Sequence, residues 1–275
     1  GNEAFEGCEN MTRITPVPAT TEVIGEGSFF NCGELPHDFV RHLPLGLKRI
    51  EAHAFSLCES LEGFTIPATV DSMGSHAFFH SGLVEVNLAT PETLLPAIPN
   101  AAFCYCPRLQ SVALSNSLER IGKRAFDHCP DLVSVAIPPD SSFIVEGRAF
   151  ASCKNLCCIQ LAGEDSFAEN SFTGCQPGLA DHVVHRFDSY PIHKLCYYAS
   201  TTTTEEELRQ AIANYQSSTP VQDQFGMTPF HVLLSAPSPR QDLLMVLLEY
   251  YPPSVLDLEN HGRVFRDTGK RPGDY

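Results

Sequence analysis

Ile121-Gly122-Lys123-Arg124-Ala125-Phe126-Asp127-His128-Cys129-Pro130-Asp131-Leu132 decides the fold, because the chain repeats this stretch. Anchored on the aromatic residue, Phe5, Phe29, Phe55, Phe78, Phe103, Phe126, Phe150 and Phe172 share one local frame, at steps of 24, 26, 23, 25, 23, 24 and 22 residues. A small residue precedes each Phe, from Ala4 and Ser28 to Ala149 and Ser171. Three residues after the Phe stands a Cys in seven of the eight copies: Cys8, Cys32, Cys58, Cys106, Cys129, Cys153 and Cys175; Ser81 takes the slot after Phe78. Five residues before it an apolar residue recurs as Ile24, Ile50, Met73, Ile98, Ile121, Val145 and Phe167. Such self-similarity marks a stacked array in which each unit buries its apolar face against the next.

The downstream half of each unit reads Leu-x-x-apolar-x-apolar, as in Leu61, Phe64, Ile66; Leu83, Val86, Leu88; Leu109, Val112, Leu114; Leu132, Val135, Ile137; and Leu156, Ile159, Leu161. Its last three residues alternate with period two, which predicts a strand. Pro67 and Pro138 mark where two strands stop, since Pro cannot donate to a ladder. The Ala-Phe-x-x-Cys half has helical spacing and predicts a short helix or turn. One strand and one such turn in ~20–29 residues make a leucine-rich repeat unit. Ile-Gly-x-x-Ala-Phe-x-x-Cys-x-x-Leu-x-x-Val-x-Ile-Pro resembles the BspA-like class of leucine-rich repeats over residues 1–180. The resemblance implies a right-handed curved solenoid with a parallel sheet on its concave side, binding to other macromolecules, and no catalytic residues. Two copies depart from the pattern. Glu34–Arg49 carries extra residues and is expected to bulge; Leu88–Ile98, with Pro91 and Pro96, is expected to loop out.

With 18 basic and 33 acidic residues in 275, the net charge is −15. Residues 1–180 carry 10 basic and 21 acidic side chains and residues 181–275 carry 8 and 12, so the acidity belongs mainly to the repeat array. That balance argues against nucleic acid, whose binders present a basic stripe, and against anionic membrane surfaces. It keeps a long surface soluble, or steers a basic partner. No apolar run reaches the ~18 residues of a spanning helix. The chain opens inside a repeat, at Gly1-Asn2-Glu3-Ala4-Phe5, so a longer parent chain or a covered first repeat is expected. Seven of the 11 cysteines fill one repeat slot, where a free thiol serves as a small buried apolar group. Unpaired thiols fit a reducing, cytoplasmic setting, with the cell surface as the alternative. Cys153-x-x-x-Cys157-Cys158 lacks the spaced Cys/His pairs of a zinc site, and no metal or other cofactor is expected.

After Ala180 the texture turns helical. Tyr190-Pro191-Ile192-His193-Lys194-Leu195-Cys196 begins one helix with an early Pro. Thr204-Glu205-Glu206-Glu207 has the shape of a capping box, followed by Leu208, Ile212 and Tyr215 on one stripe. Phe225-Gly226-Met227-Thr228-Pro229-Phe230-His231 starts a third helix, and Ser238-Pro239-Arg240-Gln241 a fourth that Pro252-Pro253 stops. Two helix pairs, each opening with a Pro, an apolar residue and a His and set 38 residues apart, resemble ankyrin repeats, with Asn260–Arg263 as the finger of a third unit. In such units His193 and His231 hydrogen-bond the turn backbone. Residues 263–275 are expected to be poorly ordered.

The fold class read from these patterns is an α/β leucine-rich repeat solenoid, residues 1–180, followed by an all-α ankyrin-like domain, residues 181–275. No enzyme motif stands out. His128 and Cys129 are chain neighbours and do not face each other as a base and nucleophile would, and Asp127, Asp131 and Glu146 are read as surface residues. Strand alternation places Gly63 and Thr65, Glu85 and Asn87, Ser111 and Ala113, Ser134 and Ala136, and Cys158 and Gln160 on the concave face. Of these Thr65, Glu85, Asn87, Ser111, Ser134, Cys158 and Gln160 are the candidate binding residues, suited to an extended segment lying close to the backbone. The expected function is a non-catalytic protein-interaction scaffold with no small-molecule substrate; the alternative is adhesion or assembly at the cell surface. Cys32, Cys58, Cys106, Cys129 and Cys153 are expected to be buried. Val183, Val184, Phe187 and the helix holding Ile192, Leu195 and Tyr198 are expected to cap the degenerate last repeat.

Overall fold

The computed structural model describes residues 1–12, 17–36, 39, 43–88, 93–138, 141, 143–161, 167–184, 187, 189–199, 203–215, 222–223, 227–235 and 239–251. The chain divides into two compact units, residues 1–186 and 187–275.

The first unit is a parallel β-solenoid. Two rows of short strands run along it. One row holds the recurring apolar residue five before each Phe: β1 (Val23–Ile24), β2 (Arg49–Ile50) and β4 (Ser72–Met73) form one sheet, and β6 (Ala97–Ile98), β8 (Arg120–Ile121) and β10 (Ile144–Val145) another. The second row holds the period-two strands β3 (Gly63–Thr65), β5 (Glu85–Asn87), β7 (Ser111–Ala113) and β9 (Ser134–Ala136), paired in that order. Register is strict: Val86 pairs with Val112 and Val112 with Val135, so equivalent residues of successive repeats stack in columns. A fifth copy contributes only the bridge of Cys158 to Ser134.

Between the two rows lies the Ala-Phe-x-x-Cys segment, and of the two forms its spacing allows, short helix or turn, the structure takes the turn. It is a turn in every copy. In the first seven copies the residues two before and two after the Phe adopt left-handed backbone, as in Arg124 (φ 56°) and His128 (φ 59°), or His53 (φ 57°) and Leu57 (φ 62°). These two reversals turn alternate N–H groups along the solenoid axis. Arg124, Phe126 and His128 donate to the carbonyls of Gly147 (3.3 Å), Ala149 (2.7 Å) and Ala151 (2.9 Å) in the next repeat. The intervening Ala125 and Asp127 donate within the turn, to Gly122 (3.2 Å) and Arg124 (3.1 Å). A helix would direct every N–H to the residue four before and leave nothing to bind the repeats. Left-handed backbone costs roughly 1–2 kcal/mol at a non-glycine residue, about what one hydrogen bond returns at ~0.5–1.5 kcal/mol. Burial of the rings must therefore decide the balance.

The rings of Phe5, Phe29, Phe55, Phe78, Phe103, Phe126, Phe150 and Phe172 form one stack, with neighbouring centroids 5.2–5.5 Å apart and planes within 13°. From Phe55 to Phe150 every member is fully buried. Leu61, Leu83, Leu109, Leu132 and Leu156 form a second buried column. Repeats come so close that some positions admit only Gly: a Cβ on Gly74 would lie 2.2 Å from the Ala52 nitrogen. The insertion at Glu34–Arg49 does more than bulge. Its Phe39 is buried, and its ring stands 5.0 Å from Phe29 and 5.9 Å from Phe55. Part of the second insertion, residues 89–92, lies outside the described residues. At the far end α1 (Leu179–His182) follows the last repeat; Leu161 donates to the Val183 carbonyl (2.7 Å) and pairs with Val184, so this segment closes the end of the second strand row.

The second unit contains α2 (Pro191–Tyr197), α3 (Glu205–Tyr215), α4 (Pro229–Leu234) and α5 (Gln241–Tyr250). Helix α2 packs on α4 and α3, and α5 on α3 and α4. The capping box of Thr204 is formed: its N–H donates to Glu207 Oε2 (2.8 Å), and the Glu207 N–H to Thr204 Oγ1 (3.3 Å). Leu208 and Ile212 are buried as the stripe predicts, but Tyr215 is exposed. Helix α5 begins at Gln241 with Arg240 as its cap residue, so Pro239 is not its first helical residue; Ser238, Pro252 and Pro253 lie outside the described residues. Arg240 instead pairs with Asp242 and donates to the Thr203 carbonyl (2.8 Å). Residues 260–263 and the rest of the tail lie outside the described residues. No helix among the described residues is long and apolar enough to cross a membrane.

Candidate recognition surface

The strand face is less open than alternation predicts. Glu85 is exposed and Asn87 half-buried, but Ser111, Ser134, Cys158 and Gln160 are buried. The side chain of Thr65 lies outside the described residues. Short side chains stacked in register, as Ser111 on Ser134 on Cys158, sit at the ~4.8 Å spacing of paired strands and shade one another. Four of the seven candidate residues thus lack the exposure expected of a recognition face.

The larger accessible feature lies on the turns. Because the turn stacks in register, three side chains per repeat, at Phe−2, Phe+1 and Phe+2, form three columns. In the middle repeats they bring together residues far apart in sequence. The ring of Phe30 meets His53 (centroids 6.3 Å), His53 stacks on His76 (4.9 Å), and His76 meets Phe79 (5.8 Å). Phe79 in turn meets Tyr105 (5.6 Å), and Tyr105 stacks on His128 (4.5 Å). All six are half-buried or exposed, Tyr105 by 46%. Burial and then the neighbouring His53 hold the His76 imidazole below its ordinary pKa, favouring its neutral form.

The strip ends in a charged cluster that sequence reading placed at the surface. Asp127 is in fact buried, at 2% exposure. Its Oδ1 accepts from His128 Nδ1 (2.7 Å), and its Oδ2 faces Arg124 Nε (3.6 Å) and Arg148 Nη2 (3.4 Å). One buried carboxylate therefore orients an imidazole and two guanidinium groups whose side chains remain 58% and 40% exposed. Between Gly27 and Ser152, Arg124, Asp127 and Arg148 are the only Asp, Glu, Lys or Arg residues in the three columns, on a chain whose net charge is −15.

Beneath the turns runs the thiol column. Cys32, Cys58, Cys106, Cys129 and Cys153 are fully buried, as the repeat predicts, and all 11 cysteines are free thiols. Each also has a partner that composition did not suggest. The Sγ donates to the carbonyl of the previous repeat's Phe: Cys32 to Phe5 (3.1 Å), Cys58 to Phe29 (3.1 Å), Cys106 to Phe78 (3.2 Å), Cys129 to Phe103 (3.1 Å) and Cys153 to Phe126 (3.1 Å). Ser81 keeps the column polar, 3.3 Å from Cys106 Sγ. Burial pushes the Cys32 thiol up to about 11 and those of Cys58, Cys129 and Cys153 well above their ordinary value.

A family model for the BspA type leucine-rich repeat region matches six copies, over residues 1–95, 41–157 and 96–183. The chain belongs to this family. Among solved structures it is similar to a leucine-rich repeat protein from Bacteroides ovatus, at 28% identity and a TM-score of 0.56, over 64% of this chain and 44% of that one. It thus spans less than half of the Bacteroides protein. A leucine-rich repeat protein of T. pallidum is 30% identical over 57% of this chain and 70% of that one, with a TM-score of 0.49. No curated protein matches the sequence.

The two histidines of the helical unit hold turns. His193 Nε2 donates to the Met227 carbonyl (2.9 Å), ahead of α4. The Thr228 N–H donates to His231 Nδ1 (3.0 Å) and the His231 N–H to Thr228 Oγ1 (3.4 Å), a reciprocal cap on α4.

Proposed function

We propose that this protein is a non-catalytic protein-interaction scaffold whose recognition surface is the turn face of the solenoid. The observation that supports this is the strip from Phe30 to His128, an accessible run of aromatic and imidazole rings ending in two oriented guanidinium groups. Tyr and Arg are among the residues that dominate binding energy at interfaces. The rings are held by their neighbours, so little conformational freedom is lost on binding. The thiol column suits a reducing compartment, because oxidation would remove a hydrogen bond from each repeat; a surface role is the alternative, which a leader or anchor in the full-length gene would favour.

The helical unit is read as ankyrin-like. The lateral packing of α2 on α4 and of α3 on α5, and the cap joining Thr228 to His231, support that reading. It adds helical surface to a protein whose partners are proteins, with no nucleic acid, membrane insertion or small-molecule substrate.

Site-specific photo-crosslinking tests the proposal. A photoreactive residue at position 105, on the turn face, is expected to give discrete protein adducts in cells, and Phe79→Ser is expected to abolish them. Adducts formed only from a probe at position 85, on the strand face, would overturn it.

A further inference from the structure

Resting on the turn-face reading, we infer that the partner presents an extended, acidic segment carrying an aromatic or large apolar residue near its acidic side chain. This reverses the expectation that an acidic protein steers a basic partner. Overall charge acts at a distance, whereas the docking face has its own sign. In the three turn columns between Gly27 and Ser152, two exposed arginines accompany one buried aspartate, so the accessible charge there is positive.

Asp127 explains why that charge is available. Its two oxygens are turned to His128, Arg124 and Arg148 from below. Each guanidinium has five N–H donors in a planar fork, and a contact with one shared carboxylate oxygen leaves most of them unused. The Arg148 Nε is buried and has no hydrogen-bond partner. Such a pair of forks, one repeat apart, suits an oxyanion bound by two arginines at once. A lysine or arginine of a partner would meet like charge there.

The distances set the shape of the occupant. One repeat is one ring-stack step, 5.2–5.3 Å between Phe78, Phe103, Phe126 and Phe150. Phe79 and Tyr105 therefore lie one to three steps from Arg124 and Arg148. An extended chain covers ~3.3–3.6 Å per residue, so an acidic residue on the arginines places an apolar residue two to four positions away on the rings of Phe79 and Tyr105. Six or seven extended residues reach from the His53 repeat to that of Arg148.

Panning a random heptapeptide display library against the full chain tests this. The expected result is enrichment of peptides with Asp or Glu two to four residues from Phe, Tyr, Trp or Leu. Their binding should weaken at least tenfold on Arg124→Glu with Arg148→Glu, and should fall with added salt. Enrichment of Lys or Arg peptides, or recovery of no peptide above background, overturns the inference. If enriched peptides lack acid and are still lost with Phe79→Ser and Tyr105→Ser, the acidic-partner inference fails while the turn face stands. If peptide binding is indifferent to Phe79→Ser and Tyr105→Ser, both fail.

Discussion

Phe126→Ala removes the ring from the middle of the stack. Its centroid lies 5.3 Å from Phe103 and 5.2 Å from Phe150, and the side chain is fully buried. Truncating a buried Phe costs ~3–5 kcal/mol through lost transfer energy and the cavity left behind. Each parallel stacking partner adds ~0.5–1.5 kcal/mol beyond buried area. A loss at the upper end, about 5 kcal/mol, is therefore expected. The same substitution should cost less toward the ends of the column. Phe172 has one stacked neighbour and is 5% exposed; Phe5 has one stacked neighbour and is 41% exposed, so Phe5→Ala should cost under about 1 kcal/mol. Urea denaturation followed by far-ultraviolet circular dichroism reads the series. With a slope of ~2–3 kcal/mol per M, the central variant should lose ~1.5–2.5 M in midpoint, and the Phe5 variant less than ~0.5 M. Equal losses at Phe5 and Phe126 would refute the stacked-column account, as would an unchanged midpoint for Phe126→Ala.

The buried thiols make stability depend on alkaline pH. Burial raises the folded-state pKa of Cys32 and Cys58, so the folded chain holds protons there that the unfolded chain releases above its ordinary thiol pKa of ~8.5. The stability they contribute is complete below that pH and is lost as pH rises. Each such thiol adds ~1.4 kcal/mol per pH unit once its unfolded-state counterpart ionises. Urea midpoints between pH 8 and 10 should fall as pH rises, and Cys58→Ala should flatten the slope; a flat profile contradicts burial of the column. In the helical unit, Thr228→Ala should cost ~1 kcal/mol through loss of the cap on α4, read as lower hydrogen-exchange protection confined to residues 227–235; unchanged protection there would show that the Thr228–His231 pair is not holding the helix.

The repeat frame was legible because framework residues recur within one or two positions of a fixed step. Phe, Cys and Leu announce buried columns without any knowledge of how the chain turns. The spacing of Ala-Phe-x-x-Cys alone leaves short helix and turn both open. A signal in favour of the turn exists: Gly7, Gly27, Asn31 and Gly174 occupy the left-handed slots two residues from a Phe, where Gly and Asn are favoured. Burial of the cysteines followed from periodicity, but their bond to the preceding Phe carbonyl depends on the inter-repeat offset, which no sequence pattern states. The same holds for Phe39, whose contact with the ring stack cannot be read from an insertion. The turn-face strip is illegible in the sequence for a related reason. Phe30, His53, Phe79, Tyr105 and His128 are some 25 residues apart and look like variable positions until register stacks them. Strand alternation pointed to the other face, where small residues packed in register leave little to bind.

The account stands most directly on a side-by-side capture measurement. The wild-type chain, a turn-face variant (Phe79→Ser with Tyr105→Ser) and a strand-face variant (Glu85→Lys with Asn87→Lys) would be immobilised, after matching their melting curves. Bound proteins would be quantified by mass spectrometry. The expected result is one set of partners retained by wild type and the strand-face variant and reduced at least tenfold by the turn-face variant. Retention by the turn-face variant with loss from the strand-face variant would contradict the central claim.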